Sequence, residues 1–346
     1  MSGIMRTNSH SHRAQAGLTL VEFMVSIVIG MLLVAGLATL IASQSATRAE
    51  IDRSGQMIEN GRYAVQLVAS DVQMAGYWGE VSATPAAPAA LPDPCSTTAS
   101  DVEAAMGVHI QAYDATAPLP SAVTACLSNH KAGTDVLVVR RVDPDSSSLE
   151  TANVPDLTKL VDGRLYFQTG LSAGAFTTRL AIGSSGTNVA TFNLTKKSGA
   201  LGTIRKVITH IYFVSTCSVV SGSTCQDTIP TLKRVELGQG TATVSLAEGI
   251  ENLQIDYGLD ADADGAPDGA DIDGTTLTKD TWPDVMTARI YVLARATEKS
   301  PGFDDDKKYV MGTHGEVTPA LADKAFKRHL FVQSVRVINP SARRPA

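Results

Sequence analysis

Residues 260–271 read Asp-Ala-Asp-Ala-Asp-Gly-Ala-Pro-Asp-Gly-Ala-Asp. Short carboxylates at alternate positions ahead of a glycine turn can converge on one point, and calcium takes six to eight such hard oxygens. Set against an EF-hand-type loop, Asp260, Asp262 and Asp264 fill the first, third and fifth positions and Gly265 the sixth. Ala266 offers a backbone carbonyl at the seventh, Asp268 stands at the ninth, and Asp271 at the twelfth, where a bidentate Glu is usual. A strand-like run precedes the loop and no clear helix follows it. The expectation is a Ca2+ loop outside the helix-loop-helix setting; a solvated acidic turn is the alternative.

A second acid stands out by its surroundings. From Phe23 to Thr47 no side chain is charged. As a helix that run of about 25 residues is about 37 Å long, enough to cross a bilayer core of about 30 Å. Glu22 sits at its start. An ionisable group at membrane depth costs roughly 2.5–3.5 kcal/mol at a helix centre and less near an end. Glu22 is therefore expected to have a designated partner rather than simply to reach water.

The first 17 residues hold Arg6, His10, His12 and Arg13 and no acid, while the acids concentrate at 260–273 and 304–306. That asymmetry fits a cytoplasmic N-terminus and an exported body. A secretory signal peptide has an apolar core of about 7–15 residues followed by a small-residue cleavage site; this run is too long and its acid is misplaced. A plain membrane anchor explains the length but not the string Gly17-Leu18-Thr19-Leu20-Val21-Glu22.

Four cysteines, Cys95, Cys126, Cys217 and Cys225, form no CxxC and have no histidine at zinc-site spacing. In an exported body they are expected to form two disulfides. Cys217 with Cys225 would close a small loop and Cys95 with Cys126 a longer one; other pairings stay open. The net charge of −6 and the lack of a clustered basic face argue against nucleic acid. His109, His130, His210, His314 and His329 are scattered, and there is no HExxH, GxSxG, P-loop or dinucleotide fingerprint. No catalytic set emerges, and the chain is not expected to be an enzyme. The mixed run Asp304-Asp305-Asp306-Lys307-Lys308 reads as an exposed loop.

These groups need elements to carry them. The helix is expected to run from 18 to about 75, with apolar residues recurring at Ile51, Ile58, Val65, Val68, Val72 and Ala75 and with Gly76 as its C-cap. Residues 83–100, rich in Ala, Pro, Ser and Thr, read as a loop. Strand-like runs follow at 134–142, 165–168, 180–182, 189–194, 207–215, 232–237, 243–246, 253–257, 288–294 and 330–337. No helix-strand alternation is visible. The fold class is α+β, a long N-terminal helix packed on an antiparallel sheet.

A basic leader, Gly17, then Leu18 to Glu22 and an uninterrupted apolar helix together resemble the class III signal of type IV prepilins. The resemblance implies cleavage after Gly17 by a prepilin peptidase and N-methylation of Leu18, a position where that family usually has Phe. It divides the chain into a leader (1–17), a transmembrane and filament-core helix (18–43), an amphipathic continuation (44–76) and an exported β-rich body (77–346). The new amine, protonated near neutral pH, would pair with Glu22 of a neighbouring subunit. Two unit charges about 4 Å apart attract by about 4 kcal/mol at an effective dielectric near 20, before desolvation, so the pair serves mainly as a register device.

The strings Glu59-Asn60-Gly61-Arg62-Tyr63-Ala64 and Asp71 to Tyr77 resemble PilW-type minor pilins. So do Leu246-Ala247-Glu248-Gly249-Ile250-Glu251-Asn252-Leu253, Asp256-Tyr257-Gly258, and the closing Phe326-Lys327-Arg328-His329 to Asn339. The resemblance implies a minor pilin that primes type IV pilus assembly. Its expected partners are other minor and major pilins, the prepilin peptidase and an inner-membrane assembly platform. It would be a single-pass inner-membrane protein with a periplasmic body, later carried into the pilus. A type II secretion pseudopilin and a membrane-anchored calcium-dependent adhesin are the alternatives.

Overall fold

The computed structural model describes residues 17, 19–81, 85–114, 118–172, 175–183, 191–222, 224–238 and 240–344. Leu18 and most of the expected leader, 1–16, lie outside the described residues. The long helix spans Leu20–Gln73. It is followed by a turn in which Gly76 takes φ +69°, a left-handed conformation that a Cβ would strain. The Gly76 N–H donates to the Arg140 carbonyl at 2.9 Å, so this end of the helix is tied to the body.

The chain divides into two units, one ending at Asp52 and one beginning at Arg53. In the first, the helix is apolar on all sides: Phe23, Met24, Leu33 and Ile41 are each at least 60% exposed. It is the one helix among the described residues long and apolar enough to cross a membrane, judged by length and composition. A surface of this kind is stable only when lipid or other helices cover it.

In the second unit the helix becomes amphipathic. Met57, Gly61, Ala64, Val68 and Val72 form the buried stripe, flanked by Val65 and Ala69. Their spacing of three and four is that of one helix face. Ile51 and Ile58 do not join it; they are 64% and 41% exposed. Ile58 sits one residue off the stripe, which rotates it out of the core.

The strands are β1 Ile110–Tyr113, β2 Val136–Val142, β3 Glu150–Thr151, β4 Val154–Pro155, β5 Leu165–Ser172 and β6 Ala175–Ile182. They continue as β7 Ile204–Ser215, β8 Val220–Ser221, β9 Thr224–Cys225, β10 Thr231–Gly238, β11 Gly240–Glu248 and β12 Ile250–Leu259. The last are β13 Asp268–Ile272, β14 Val285–Arg295, β15 Tyr309–Val310, β16 Glu316–Val317 and β17 Arg328–Arg336. One sheet has the order β1-β2-β7-β10-β11, with β5 also on β7 and β6 on β5; a second runs β13-β12-β14-β17. All of these pairings are antiparallel. The helix stripe shares a single core with both. Ile110, Leu137, Val139, Tyr212, Val214 and Leu232 come from the first sheet, and Leu253, Ile255, Ile290, Val292 and Ala294 from the second. This is the expected α+β architecture.

Two close approaches fix the helix in place. A Cβ on Gly61 would stand 2.1 Å from Phe331 Cε2 and 2.9 Å from Ala294 Cβ, so glycine there lets β14 and β17 reach the helix. At the helix end, Asn339 of the C-terminal helix Ile338–Ala342 donates to the Met74 and Ala75 carbonyls at 3.3 and 3.2 Å. Arg343 donates to the Gly76 carbonyl at 2.8 Å. Asn339 and Arg343 thus donate to carbonyls of the turn that follows the helix.

Three expectations are corrected. The described part of the run 189–194 contains no strand. Phe192 is fully buried against Tyr166; the Leu194 N–H donates to Gln168 Oε1, and its carbonyl accepts from the Gly202 N–H at 2.7 Å and from Gln168 Nε2, so a glutamine and one backbone bond, not a full ladder, satisfy this backbone. Within the segment read as a loop, a short helix begins at Ala99, capped by Thr98, whose hydroxyl accepts the Asp101 N–H at 3.4 Å. The charged run 304–308 is not wholly exposed: Asp305 is buried, accepting from Tyr309 Oη at 2.9 Å and pairing with Arg328 Nη1 at 3.3 Å.

Candidate assembly interface and its supports

Gly17 is exposed at the start of the described chain. Two residues on, Thr19 is the N-cap of the helix. Its N–H and its hydroxyl both donate to Glu22 Oε2 at 2.9 Å, and the Glu22 N–H donates to the Thr19 hydroxyl at 3.3 Å. This reciprocal pair is a capping box, which satisfies amide donors that the first turn leaves unpaired. The carboxylate of Glu22 is thereby held at the N-terminal end of the helix, close along the chain to position 18. Any external cation that pairs with Glu22 competes with a local cap.

Asp71 joins the helix to the first sheet. It is 6% exposed, and its carboxylate meets Arg141 Nε at 2.7 Å and His210 Nδ1 at 2.6 Å and accepts from Tyr212 Oη at 2.8 Å. Arg141 stands on β2, and His210 and Tyr212 alternate on β7, so two neighbouring strands aim at one helical acid. Burial works against the charge of Asp71, yet the His210 ring and the Arg141 guanidinium hold its carboxyl at about 2, below the usual carboxylate range. The Asp71-to-Tyr77 string was a sequence signal; the partners, 70 and 139 residues away, were not visible.

A second ionic group holds the other sheet to its crossing loop. Arg328 makes a forked contact with Glu251, Nε to Oε2 at 2.5 Å and Nη2 to Oε1 at 3.2 Å, and also reaches Asp305. Lys131 Nζ donates to the Glu251 carbonyl at 2.7 Å. Burial pushes the Lys131 amine down. Glu251 and Arg328 belong to the two strings singled out at the C-terminal half, and the fold brings them together as a buried, forked pair of the kind that fixes geometry.

In the acidic loop, Asp260, Asp262 and Asp268 bring one carboxylate oxygen each within 4.8 Å of one another. Asp260 is buried and Asp262 and Asp268 are exposed. Asp264 Oδ1 accepts the Ala266 N–H at 2.7 Å, and Asp271, on β13, pairs with Arg289 Nη2 at 3.0 Å. Asp260 also receives the Gly265 N–H at 3.0 Å and lies 3.6 Å from Arg344 Nη1. Guanidinium groups at both ends therefore offset part of the loop charge. Gly265, at φ +86°, turns its carbonyl to Arg336 Nη2 at 2.9 Å. Asp260, Asp262 and Asp268 thus gather three carboxylate oxygens, fewer than the six to eight that calcium takes.

The cysteines pair as Cys95–Cys126 and Cys217–Cys225. Two histidines bond backbone carbonyls: His109 is fully enclosed, bonded to the Val285 carbonyl at 2.9 Å, and burial brings it down to about 4, while His130 bonds the Thr134 carbonyl at 2.9 Å.

Two family models match. The one described as Type IV Pilus-assembly protein W covers residues 211–339. The one described as the prokaryotic N-terminal methylation motif covers residues 12–38. No curated protein and no solved structure matches. The first match takes in the end of β7 and β8 to β17, with the acidic loop and the Glu251–Arg328 pair, and the second takes in Gly17, Leu18 and Glu22.

Proposed function

We propose, from the premise that this chain is a type IV prepilin-like minor pilin anchored by its N-terminal helix, that it primes pilus assembly from the inner membrane and comes to rest near the filament tip. The observation that carries this reading is Glu22: a carboxylate at the head of an apolar, all-round-exposed helix, five residues after Gly17. Cleavage after Gly17 leaves an ammonium at Leu18, and methylating it once keeps the charge. In the filament the amine of one subunit takes Glu22 of the next, and a misregistered helix leaves both charges unpaired in an apolar bundle, an expensive arrangement. The capping box sets Glu22 at the helix start, so the pair forms there and selects register. The body from Arg53 onward is bulky for a repeating shaft position, which supports a tip location.

The same reading gives the 260–271 loop a divalent cation, held by Asp260, Asp262 and Asp268. The cation would screen their mutual repulsion and fasten the β12–β13 turn.

Mass spectrometry of the mature N-terminus tests the main proposal. The expected N-terminal residue is Leu18 with one methyl group. Glu22→Ala is expected to be cleaved normally and to enter filaments poorly. A cell-envelope protein that retains residues 1–17, or an alanine variant that assembles as well as wild type, overturns it.

A further inference from the structure

The edges of the two main sheets are not alike. A sheet edge exposes unpaired backbone donors and acceptors, and folded proteins blunt such edges with charge or cover. Here β17 carries Arg328, His329 and Arg336, β13 carries Asp268 and Asp271, β6 carries Arg179, and β1 is mostly buried. The remaining edge strand is β11. Its residues 241–247 read Thr-Ala-Thr-Val-Ser-Leu-Ala, with no charge, and 241–245 are all exposed. On the strand beside it, Arg234 and Glu236 neutralise each other, Nε to Oε1 at 3.0 Å, opposite Val244 and Ala242. The far end is closed: Ser245 Oγ donates to the Ser218 carbonyl at 3.4 Å and Ser218 Oγ to Glu248 Oε1 at 2.6 Å, in a segment tied by the Cys217–Cys225 disulfide.

We propose that the edge of β11 at 241–245 is a pairing edge that receives an extended, uncharged strand from a neighbouring pilin-like subunit. The inference rests on the assembly reading above. Residues 241–245 span about 17 Å, enough for a short antiparallel or parallel ladder at the usual spacing of about 4.8 Å. Main-chain hydrogen bonds supply the attraction, and the side chains choose the partner. Thr241 and Thr243 offer hydroxyls and methyls on one face, and Ala242 and Val244 offer small apolar surface on the other, while Ser245 is already bonded to the Ser218 carbonyl. Arg234 and Glu236 on β10 are already paired with each other, so an incoming Lys or Glu would lose water with little compensation from them. A strand rich in Thr, Val or Ser suits it, since such residues pair well across strands.

The test uses the full-length chain in assembling cells, with a photo-crosslinking residue placed singly at positions 241 to 245. A second set goes at Ile51 and Ile58, exposed positions of the helix. The expected result is a ladder: successive β11 positions cross-link to successive residues of one strand in another pilin-like subunit. Thr241→Lys with Thr243→Lys should reduce the adduct at position 245 at least tenfold and lower the pilus-incorporated fraction, without changing the amount of the protein in the membrane. Thr243→Val should keep both. Helix adducts without a β11 ladder overturn this proposal and leave the pilin reading standing. Adducts at neither site count against both. A ladder that maps only to a second copy of this chain, or adducts scattered over helices and loops, also overturns the strand partner proposed.

Discussion

Replacing Asp71 by Asn keeps the shape of the side chain and removes its charge from between Arg141 and His210. The carboxyl sits at about 2 in the folded protein against 3.8 as its ordinary value. At about 1.4 kcal/mol per tenfold change in proton affinity, that difference is worth roughly 2.5 kcal/mol of folding stability. Because the folded value is the lower one, the contribution is complete above pH 3.8 and is lost as the pH falls through about 2. The Asn variant also leaves the Arg141 guanidinium, 13% exposed, without its counter-charge. Removing one partner of a buried pair costs about 3–5 kcal/mol when the remaining charge has no relief. The tyrosine and histidine can re-bond the amide, so the expected loss at neutral pH is about 2.5–4 kcal/mol. Urea unfolding of the full-length chain in detergent, wild type beside Asp71→Asn, measures it between pH 7 and pH 2. The gap should be widest at neutral pH and should close as wild-type Asp71 takes up its proton. A gap under about 0.5 kcal/mol at pH 7, or one that does not change down to pH 2, would refute the reasoning.

Other outcomes follow from particular contacts. Gly61→Ala should destabilise the body by about 1–3 kcal/mol through overpacking against Phe331, with Phe331→Leu restoring part of the loss in a double-mutant cycle. Exchanging both members of Cys95–Cys126 for Ser should cost about 3.7 kcal/mol and the Cys217–Cys225 pair about 2.5, because the first closes the longer loop; denaturant midpoints that rank them in reverse would contradict the loop-closure account. Excess Ca2+ should raise the melting temperature of the full-length chain and chelator should lower it, with Asp262→Ala removing the response. A wild-type melting curve indifferent to both would remove the cation from the acidic loop.

The sequence was sufficient wherever the physics is local. Composition alone marks a helix that water cannot solvate, and one carboxylate within it is conspicuous because so few neighbours are polar. Thr19 and Glu22 stand three apart, the spacing a capping box needs, so even that contact is local. Short runs rich in β-branched residues, bounded by Gly, Pro, Asp or Ser, located most of the strands, including β2 and β12, which are buried on both faces.

Tertiary structure decided what depends on pairs far apart in the chain. Asp71 is an ordinary helical acid until β2 and β7 bring Arg141 and His210 to it. Asp305 lies in a run whose charges suggest solvent, and only its encounter with Arg328 makes burial favourable. The 189–194 run has strand composition, but the Gln168 side chain and the Gly202 N–H take the Leu194 backbone groups. Ile58 matched the helical period and still faces outward, since periodicity gives the width of an apolar face and not which part of it the body covers. Asp271 has the spacing of a loop ligand, and the sheet also brings Arg289 to it, a contact that spacing alone does not reveal. A residue type and its spacing set which bonds are available to it; the fold, by bringing distant strands within about 3 Å, selects the one that forms.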